Sequence, residues 1–195
     1  MKKLFLIAIA SMTASIAGAQ IQFGAKAGLN LSTINVSNSG STSFKIKPGF
    51  HAGGLVYIPL FNNFGLQPEV MYSAEGSKIS DGTESGNYNL GYINVPVLFK
   101  YKDPSGFFAE IGPQIGVLLS AKVKANGQTV DEKDYIKSTE ISGALGIGYL
   151  TSLNIGIDAR YNLGLTNIAK DSGGETAKNG VIQVGIFYLF GGSKK

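Results

Sequence analysis

Cysteine is absent from this chain of 195 residues. Without cysteine, the chain has no site for the lipid anchor of a lipoprotein, no disulfide framework and no cysteine-based metal site. Its stability must therefore come from backbone pairing and packing.

Charge and long apolar runs are also scarce. Charged residues make up 15% of the chain, and no apolar run of about 18 residues follows the first twenty residues, so we expect no transmembrane helix. The 17 basic residues include Lys2 and Lys3. Without these two, 15 basic residues face 13 acidic ones, a net charge of about +2. Because no Lys/Arg cluster stands out along the sequence, we expect no nucleic-acid partner.

The first residues have the pattern of an export signal. A basic start, Met1–Lys3, is followed by a short apolar run, Leu4–Ala10, and by the small residues Ala17, Gly18 and Ala19. We therefore predict a cleaved signal peptide at 1–19. The remainder, 20–195, is of a size that fits one domain.

Apolar residues in this domain recur with period two, which is typical of β-strands. From Leu153 to Leu165, every second residue is apolar and the residues between are polar or Gly. A helix would mix the two sets, so a strand with two different environments is predicted. The predicted strands are Phe23–Leu31, Gly49–Leu60, Phe64–Ser73, Tyr88–Tyr101, Gly106–Ser120, Thr139–Leu150, Leu153–Leu165 and Ile182–Phe190.

The connections alternate strictly between long and short. The long ones are 32–48, 75–87, 121–138 and 168–179, and the short ones are 61–63, 102–105 and 151–152. Tight periplasmic turns that alternate with longer outer loops are typical of outer-membrane barrels. The sequence therefore predicts an all-β fold, an eight-stranded antiparallel up-and-down transmembrane β-barrel of the bacterial outer membrane, with four outer loops.

Outward-facing aromatic residues collect beside the short turns and the C-terminal end. Aromatic girdles mark the membrane interfaces of such barrels. We interpret this set as the periplasmic girdle, although aromatic residues also favour strand ends in other β proteins. It consists of Phe64, Phe99, Tyr101, Phe107, Tyr149, Tyr188 and Phe190.

Prolines and an alternative fold qualify this prediction. Pro59, Pro68, Pro96 and Pro113 lie inside predicted strands, where each removes a ladder donor, so we expect bulges there or nearer strand ends. A soluble lipocalin-like barrel would have the same strand count. The scarcity of charge, and polar faces rich in Gly, Asn and Gln, argue against such a solvated exterior.

Several separated segments resemble one family. They are Phe23–Asn30, Leu66–Ser73, Tyr92–Tyr101, Ile111–Gly116, Asp158–Leu165 and Gly185–Phe190. Together they resemble the PorT-like, "porin family" outer-membrane β-barrel proteins over essentially the whole mature chain. The resemblance implies the barrel fold and implies that prolines in strands are a family feature. It implies little about activity. The tail after Phe190 departs from the common terminal aromatic residue.

The polar faces place charges of both signs inside the predicted barrel. They are Lys26, Glu69, Lys100, Glu110, Glu140, Asp158 and Arg160. An eight-stranded barrel is only wide enough for its own side chains, so we expect a salt-bridged plug, since buried charges must be paired. The alternative is a narrow channel for ions or small solutes.

Catalytic and metal sites are not apparent. His51 is the single histidine, and no His-x-Ser segment is present. A lipid-modifying enzyme that uses His51 is therefore the least favoured hypothesis. The acidic segments 81–84 and 131–134 lack EF-hand spacing, so we expect no metal and no cofactor.

The sequence therefore predicts a non-enzymatic, monomeric barrel with a structural or interaction role. Its expected partners are the outer-membrane lipid bilayer, the outer-membrane assembly machinery and, through the loops at 32–48 and 121–138, an extracellular ligand or protein.

Overall fold

The computed structural model describes residues 21–37, 43–80, 85–125, 128–170 and 176–190. The predicted signal peptide at 1–19 lies outside the described residues. The strands are β1 (Gln22–Val36), β2 (Ser43–Lys45), β3 (Lys47–Pro59), β4 (Phe64–Ser80), β5 (Ser85–Lys102), β6 (Phe107–Ala125), β7 (Gln128–Asp131), β8 (Thr139–Leu150), β9 (Ile155–Gly164) and β10 (Ala177–Phe190). None of the helical segments in the described part of the chain has the length and hydropathy of a membrane-spanning helix.

Eight of these strands form a closed ring. The order around the ring is β1, β3, β4, β5, β6, β8, β9 and β10, and every neighbouring pair is antiparallel. The first and last strands close it, with Phe23 opposite Phe190. Among the described residues, short β2 pairs with β4 alone, and β7 pairs with β6 alone. The predicted eight-stranded antiparallel barrel is confirmed.

The two faces of each strand have opposite chemistry, as the period-two pattern predicts. Large apolar side chains lie outside: Leu145 is 61% exposed, whereas its neighbour Ala144 is 2% exposed. Polar and charged side chains lie inside. A lipocalin-like barrel would have its apolar face inside, so the soluble alternative is wrong.

The apolar outer face has the height of a bilayer. Along β6, outward apolar residues extend from Phe107 to Leu119. At about 3.3 Å per residue and a strand tilt of about 40°, this stretch rises roughly 30 Å. The hydrocarbon core of a membrane is about as thick.

Tight turns lie at one end of the barrel, which we call the turn end. They span 60–63, 103–106 and 151–154. Asn62 and Asn154 adopt positive φ angles of 48° and 61°, which Asn tolerates better than most residues. The predicted start of the seventh strand at Leu153 is wrong by two residues, because the turn around Asn154 includes it.

At the other end, the loop end, the long connections prove shorter than predicted. The segment 75–87 is largely strand, since β4 and β5 pair as far as Ser80 and Ser85. Likewise, β6 continues to Ala125 and pairs with β7, and β10 begins at Ala177. Beyond the bilayer the outer face becomes polar, with Lys122 exposed, while Leu90 and Ala121 face the interior. The lipid pattern of apolar residues outside and polar residues inside therefore no longer marks the strand.

The prolines cause less disruption than predicted. Pro59 is the last residue of β3, so a nearer strand end is correct there. Pro68, Pro96 and Pro113 remain paired without a register shift, so the expectation of bulges at these positions is wrong. Each proline removes one donor toward one neighbour only. The register shift recorded in the described ladder lies between Gly91 and Tyr92.

Candidate functional site

Arg160, the only arginine of the chain, lies at the centre of the barrel interior. It projects from β9 and is 3% exposed. Its Nη1 and Nη2 donate to the two carboxylate oxygens of Glu69 on β4, both at 2.9 Å. Its Nε and Nη2 donate to Oε1 of Glu110 on β6, at 3.0 and 2.6 Å. One guanidinium group therefore binds two carboxylates from two other strands, in the fork geometry that makes such pairs strong.

Lys100 extends this cluster toward the turn end. Its Nζ lies 3.0 Å from Oε2 of Glu110 and donates to Oε1 of Gln67 at 2.6 Å. Gln67 in turn donates to Glu69 at 2.7 Å. The amide thereby connects the lysine to the arginine–carboxylate group.

Lys26 and Asp158 form a third buried ion pair. Asp158 also lies 3.9 Å from Nη2 of Arg160, which joins the pair to the rest. We call Lys26, Lys100, Arg160, Glu69, Glu110, Asp158 and Gln67 the central network. Its three cations balance its three carboxylates, as burial of charge requires.

Glu140, the seventh predicted interior residue, is buried but lies apart from the central network. Its Oε2 accepts a hydrogen bond from Asn179 at 2.6 Å. The sequence reasoning missed a second acid, Glu75, which is 3% exposed and accepts from Asn94 at 2.9 Å. The strand predicted to end at Ser73 excluded Glu75. The inward series at alternate positions 67, 69, 71, 73, 75 and 77 is the signal that could have included it.

An apolar cluster closes the turn end of the interior. It consists of Leu55, Tyr57, Phe108, Phe187 and Leu189. The Lys100 ammonium lies 3.8 Å from the centre of the Phe108 ring, a cation–π contact that joins this cluster to the central network. The cavity between them measures about 10 Å³, roughly the minimum space for one water molecule.

A second apolar cluster closes the loop end. Its buried members are Ile34, Leu90, Tyr92, Leu118, Ala121, Ile136 and Ile168. Ile136 and Ile168 come from connecting segments, which cross over the strands and are joined by a hydrogen bond from Lys137 N to Ile168 O at 2.7 Å. The central network is thus enclosed by apolar side chains on both sides.

His51 is enclosed in the same interior, at 1% exposure. Its Nδ1 lies 2.7 Å from Oδ1 of Asn30, and Asn30 donates to Ser73 at 2.9 Å. An amide therefore separates the imidazole from the hydroxyl of Ser73. Nε2 of His51 has no hydrogen-bond partner among the described residues.

The predicted girdle residues lie on the outer face near the turn end and contact one another in pairs. Phe64 lies 5.2 Å from Phe99 and 5.2 Å from Tyr101 between ring centres. Phe107 and Tyr149 are 4.9 Å apart, and Tyr188 and Phe190 are 5.3 Å apart. Phe61 in the turn adds a contact to Phe64 at 5.4 Å.

The acidic segments form no recognisable metal site in the described part of the chain. Asp131 accepts a hydrogen bond from the backbone of Lys133 at 2.9 Å, and no group of three potential ligands occurs there. The other acidic segment, 81–84, lies outside the described residues.

Comparison with known proteins places this geometry in a family. The model of the outer membrane protein beta-barrel domain matches residues 12–170. The chain belongs to this family. Its members are barrels of the bacterial outer membrane, so the outward apolar face lies in that lipid bilayer.

Solved outer-membrane barrels have the same fold. Neisserial surface protein A has a TM-score of 0.58 and 16% identity, covering 86% of this chain and 97% of its own. OprG from Pseudomonas aeruginosa has a TM-score of 0.51 and 12% identity, covering 88% and 96%. Ail from Yersinia pestis has a TM-score of 0.50 and 19% identity, covering 87% and 99%. No curated protein sequence matches the chain. At these identities the likeness shows the outer-membrane barrel fold alone.

Proposed function

We propose that this outer-membrane barrel is sealed by its own side chains and acts through the surface that it displays, in a structural or interaction role. The observation that carries the proposal is the central network between two apolar clusters. An ion crossing the barrel would have to separate Arg160 from Glu69 and Glu110. Breaking a buried ion pair by removing one partner costs about 3–5 kcal/mol.

Planar-bilayer recording tests the sealed interior. We expect no steady conductance from the wild-type barrel. The double variant F108A/F187A, which removes two rings of the turn-end cluster, serves as the opened control and is expected to conduct at most in brief events, since the central network remains. Steady wild-type conductance that changes in E110A or R160A would overturn the proposal.

A narrow ion pathway is the second candidate function. It is favoured by buried polar atoms without hydrogen-bond partners among the described residues, which include His51 Nε2, Asp158 Oδ1 and both side-chain atoms of Asn162. Water or a small ion at these atoms would satisfy them. The same recordings distinguish the two candidates.

The loop end is proposed to lie outside the cell and the aromatic girdle at the periplasmic interface. Because the chain has no native cysteine, single cysteines report orientation directly. A maleimide that cannot cross the membrane should label T129C in intact cells. L153C, in a tight turn, should react only after the envelope is opened. The opposite labelling pattern would mean that the loop end faces the periplasm.

The remaining assignments are proposals from the sequence. We propose a PorT-like, monomeric, non-enzymatic protein that is inserted by the outer-membrane assembly machinery after cleavage of residues 1–19. N-terminal sequencing of the protein from outer membranes should begin at or near Gln20, and an uncleaved Met1 would contradict the signal peptide.

A further inference from the structure

Lysines form a row across the outer face at the loop end. Lys45 of β2 lies directly opposite Lys78 of β4. Lys78 lies opposite Asn87 of β5, and Asn87 lies opposite Lys124 of β6. Directly paired residues point to the same side of a sheet. The row therefore carries three outward cations at paired positions, and Lys122 lies two residues before Lys124. Because the strands are tilted by about 40°, each step to the next strand changes the height by roughly 3 Å. We call Lys45, Lys78, Lys122 and Lys124 the basic row.

Lys45, Lys78 and Lys124 face no carboxylate across their ladders in the described structure. All four lysines are exposed, and none of them belongs to an ion pair or side-chain hydrogen bond among the described residues. Asp131 faces Lys122 across the β6–β7 ladder without reaching it as a salt bridge. Like charges directly opposite each other on neighbouring strands are destabilising. An external anion would relieve this repulsion.

The β6 end of the basic row lies just beyond the apolar outer face. Lys122 follows Leu119, at the upper limit of the apolar outer face of β6, by three residues. Strands β4, β5 and β6 have 17, 18 and 19 residues, whereas β8 and β9 have 12 and 10. The long strands rise past the bilayer as one wall, and the row lies on the side of that wall that is continuous with the lipid-facing surface. Lysine stems can lie along such a surface while the ammonium groups reach the headgroups.

We propose that the basic row binds phosphate groups of anionic lipid headgroups in the leaflet around the loop end, and so fixes the depth and tilt of the barrel on that side. The proposal rests on the orientation proposed above in one respect: the orientation decides which leaflet surrounds the loop end. Several lysines at one interface give additive attraction to anionic lipids. The shorter strands on the other side present Thr139 and Leu163 near their loop-end limits, so these two strands carry no comparable row of lysines.

Titration of the refolded full-length mature barrel in zwitterionic detergent tests this proposal. The probe is bisphosphorylated lipid A, compared with the same lipid after dephosphorylation. The variant K45Q/K78Q/K124Q removes three charges of the row. The control variant K133Q/K137Q/K170Q removes three exposed charges from connecting segments at the same end. A heat-dependent shift in gel mobility verifies that each protein is folded.

We expect the row variant to bind bisphosphorylated lipid A at least about tenfold more weakly, and the control to bind within about twofold of wild type. Dephosphorylation should weaken wild-type binding similarly. Equal losses in both variants would overturn the proposal, because they would indicate general charge attraction. Displacement of the lipid by millimolar inorganic phosphate would indicate a soluble-anion site instead. A row variant that loses binding to a heparin oligosaccharide but retains lipid A would also contradict the lipid assignment. Inverted cysteine labelling would refute the orientation and leave these titrations valid.

Discussion

Replacement of Arg160 by methionine should destabilise the barrel more than removal of any exposed charge. Arg160 donates four hydrogen bonds, two to Glu69 and two to Glu110. Without it, two cations remain for three buried carboxylates, and Glu69 retains only the hydrogen bond from Gln67. An unpaired buried charge of this kind costs about 3–5 kcal/mol. We therefore expect R160M to lower the free energy of unfolding by that amount.

Urea unfolding of the refolded barrel in lipid vesicles measures this change, and a double-mutant cycle isolates the pair. E69Q alone should also destabilise. The double variant E69Q/R160M should lose at least about 2 kcal/mol less than the sum of the two single variants, because residues in one network couple. K137Q, an exposed substitution, should change stability by no more than about 0.5 kcal/mol.

An R160M barrel as stable as wild type would refute the reasoning, as would additive effects of E69Q and R160M. Added salt provides a further check. Because the network is enclosed, its contribution should change little between low and high ionic strength, whereas exposed pairs are screened.

Three further predictions follow from other parts of the barrel. In G28A, the new Cβ would lie 2.2 Å from the Val184 carbonyl oxygen and 2.6 Å from Gly185 Cα. Because backbone atoms cannot move aside easily, the folded fraction on a heat-shift gel should fall. The control G143A, with nothing within 4 Å of its Cβ, should fold as wild type. L145K places a charge on the mid-height outer face and should cost about 2–4 kcal/mol in vesicle unfolding, whereas L153K, in a turn, should cost less than about 1 kcal/mol; equal costs would mean that Leu145 does not face lipid. Hydrogen bonds from the Ser105 hydroxyl and backbone lower the pKa of Asp103 below its ordinary value of 3.8. The stability that Asp103 contributes is therefore present above that value and is lost as the pH falls through the lowered pKa. In S105A, an NMR titration should show the pKa of Asp103 moving back up, and an unchanged pKa would contradict the hydrogen bonds.

The barrel could be predicted from the sequence because the membrane imposes a sharp pattern on it. Leu145 faces lipid and its neighbour Ala144 faces the packed interior. Every strand within the bilayer alternates between these two environments from one residue to the next. The extended parts of β4, β5 and β6 could not be predicted in the same way. Outside the bilayer the outward positions become polar, as at Lys78 and Asn87, while Ala121 faces the interior. The segments 75–87 and 121–138 therefore lack the membrane pattern and look like loops in sequence.

The individual partners of the charged residues could not be predicted from the sequence either. The list of inward charges follows from period two, but Arg160 meets Glu69, 91 residues earlier, only because β9 faces β4 across the lumen. That meeting depends on ring order and strand tilt, which no local pattern encodes. The same holds for Glu140, which alternation places inside but which contacts Asn179 rather than the central network.

The central claim is that lipid surrounds the apolar faces while the interior is packed and closed to solutes. Spin labels introduced one at a time along β8, in a chain with no native cysteine, measure this directly in vesicles. At Ile141, Leu145 and Ile147, collisions with dissolved oxygen should exceed collisions with a water-soluble nickel complex. At Ser142 and Ala144, the labels should be immobilised and accessible to neither reagent. Access of the nickel complex to Ser142 and Ala144 would mean that an open aqueous lumen runs through the barrel, and the sealed-interior account would be wrong.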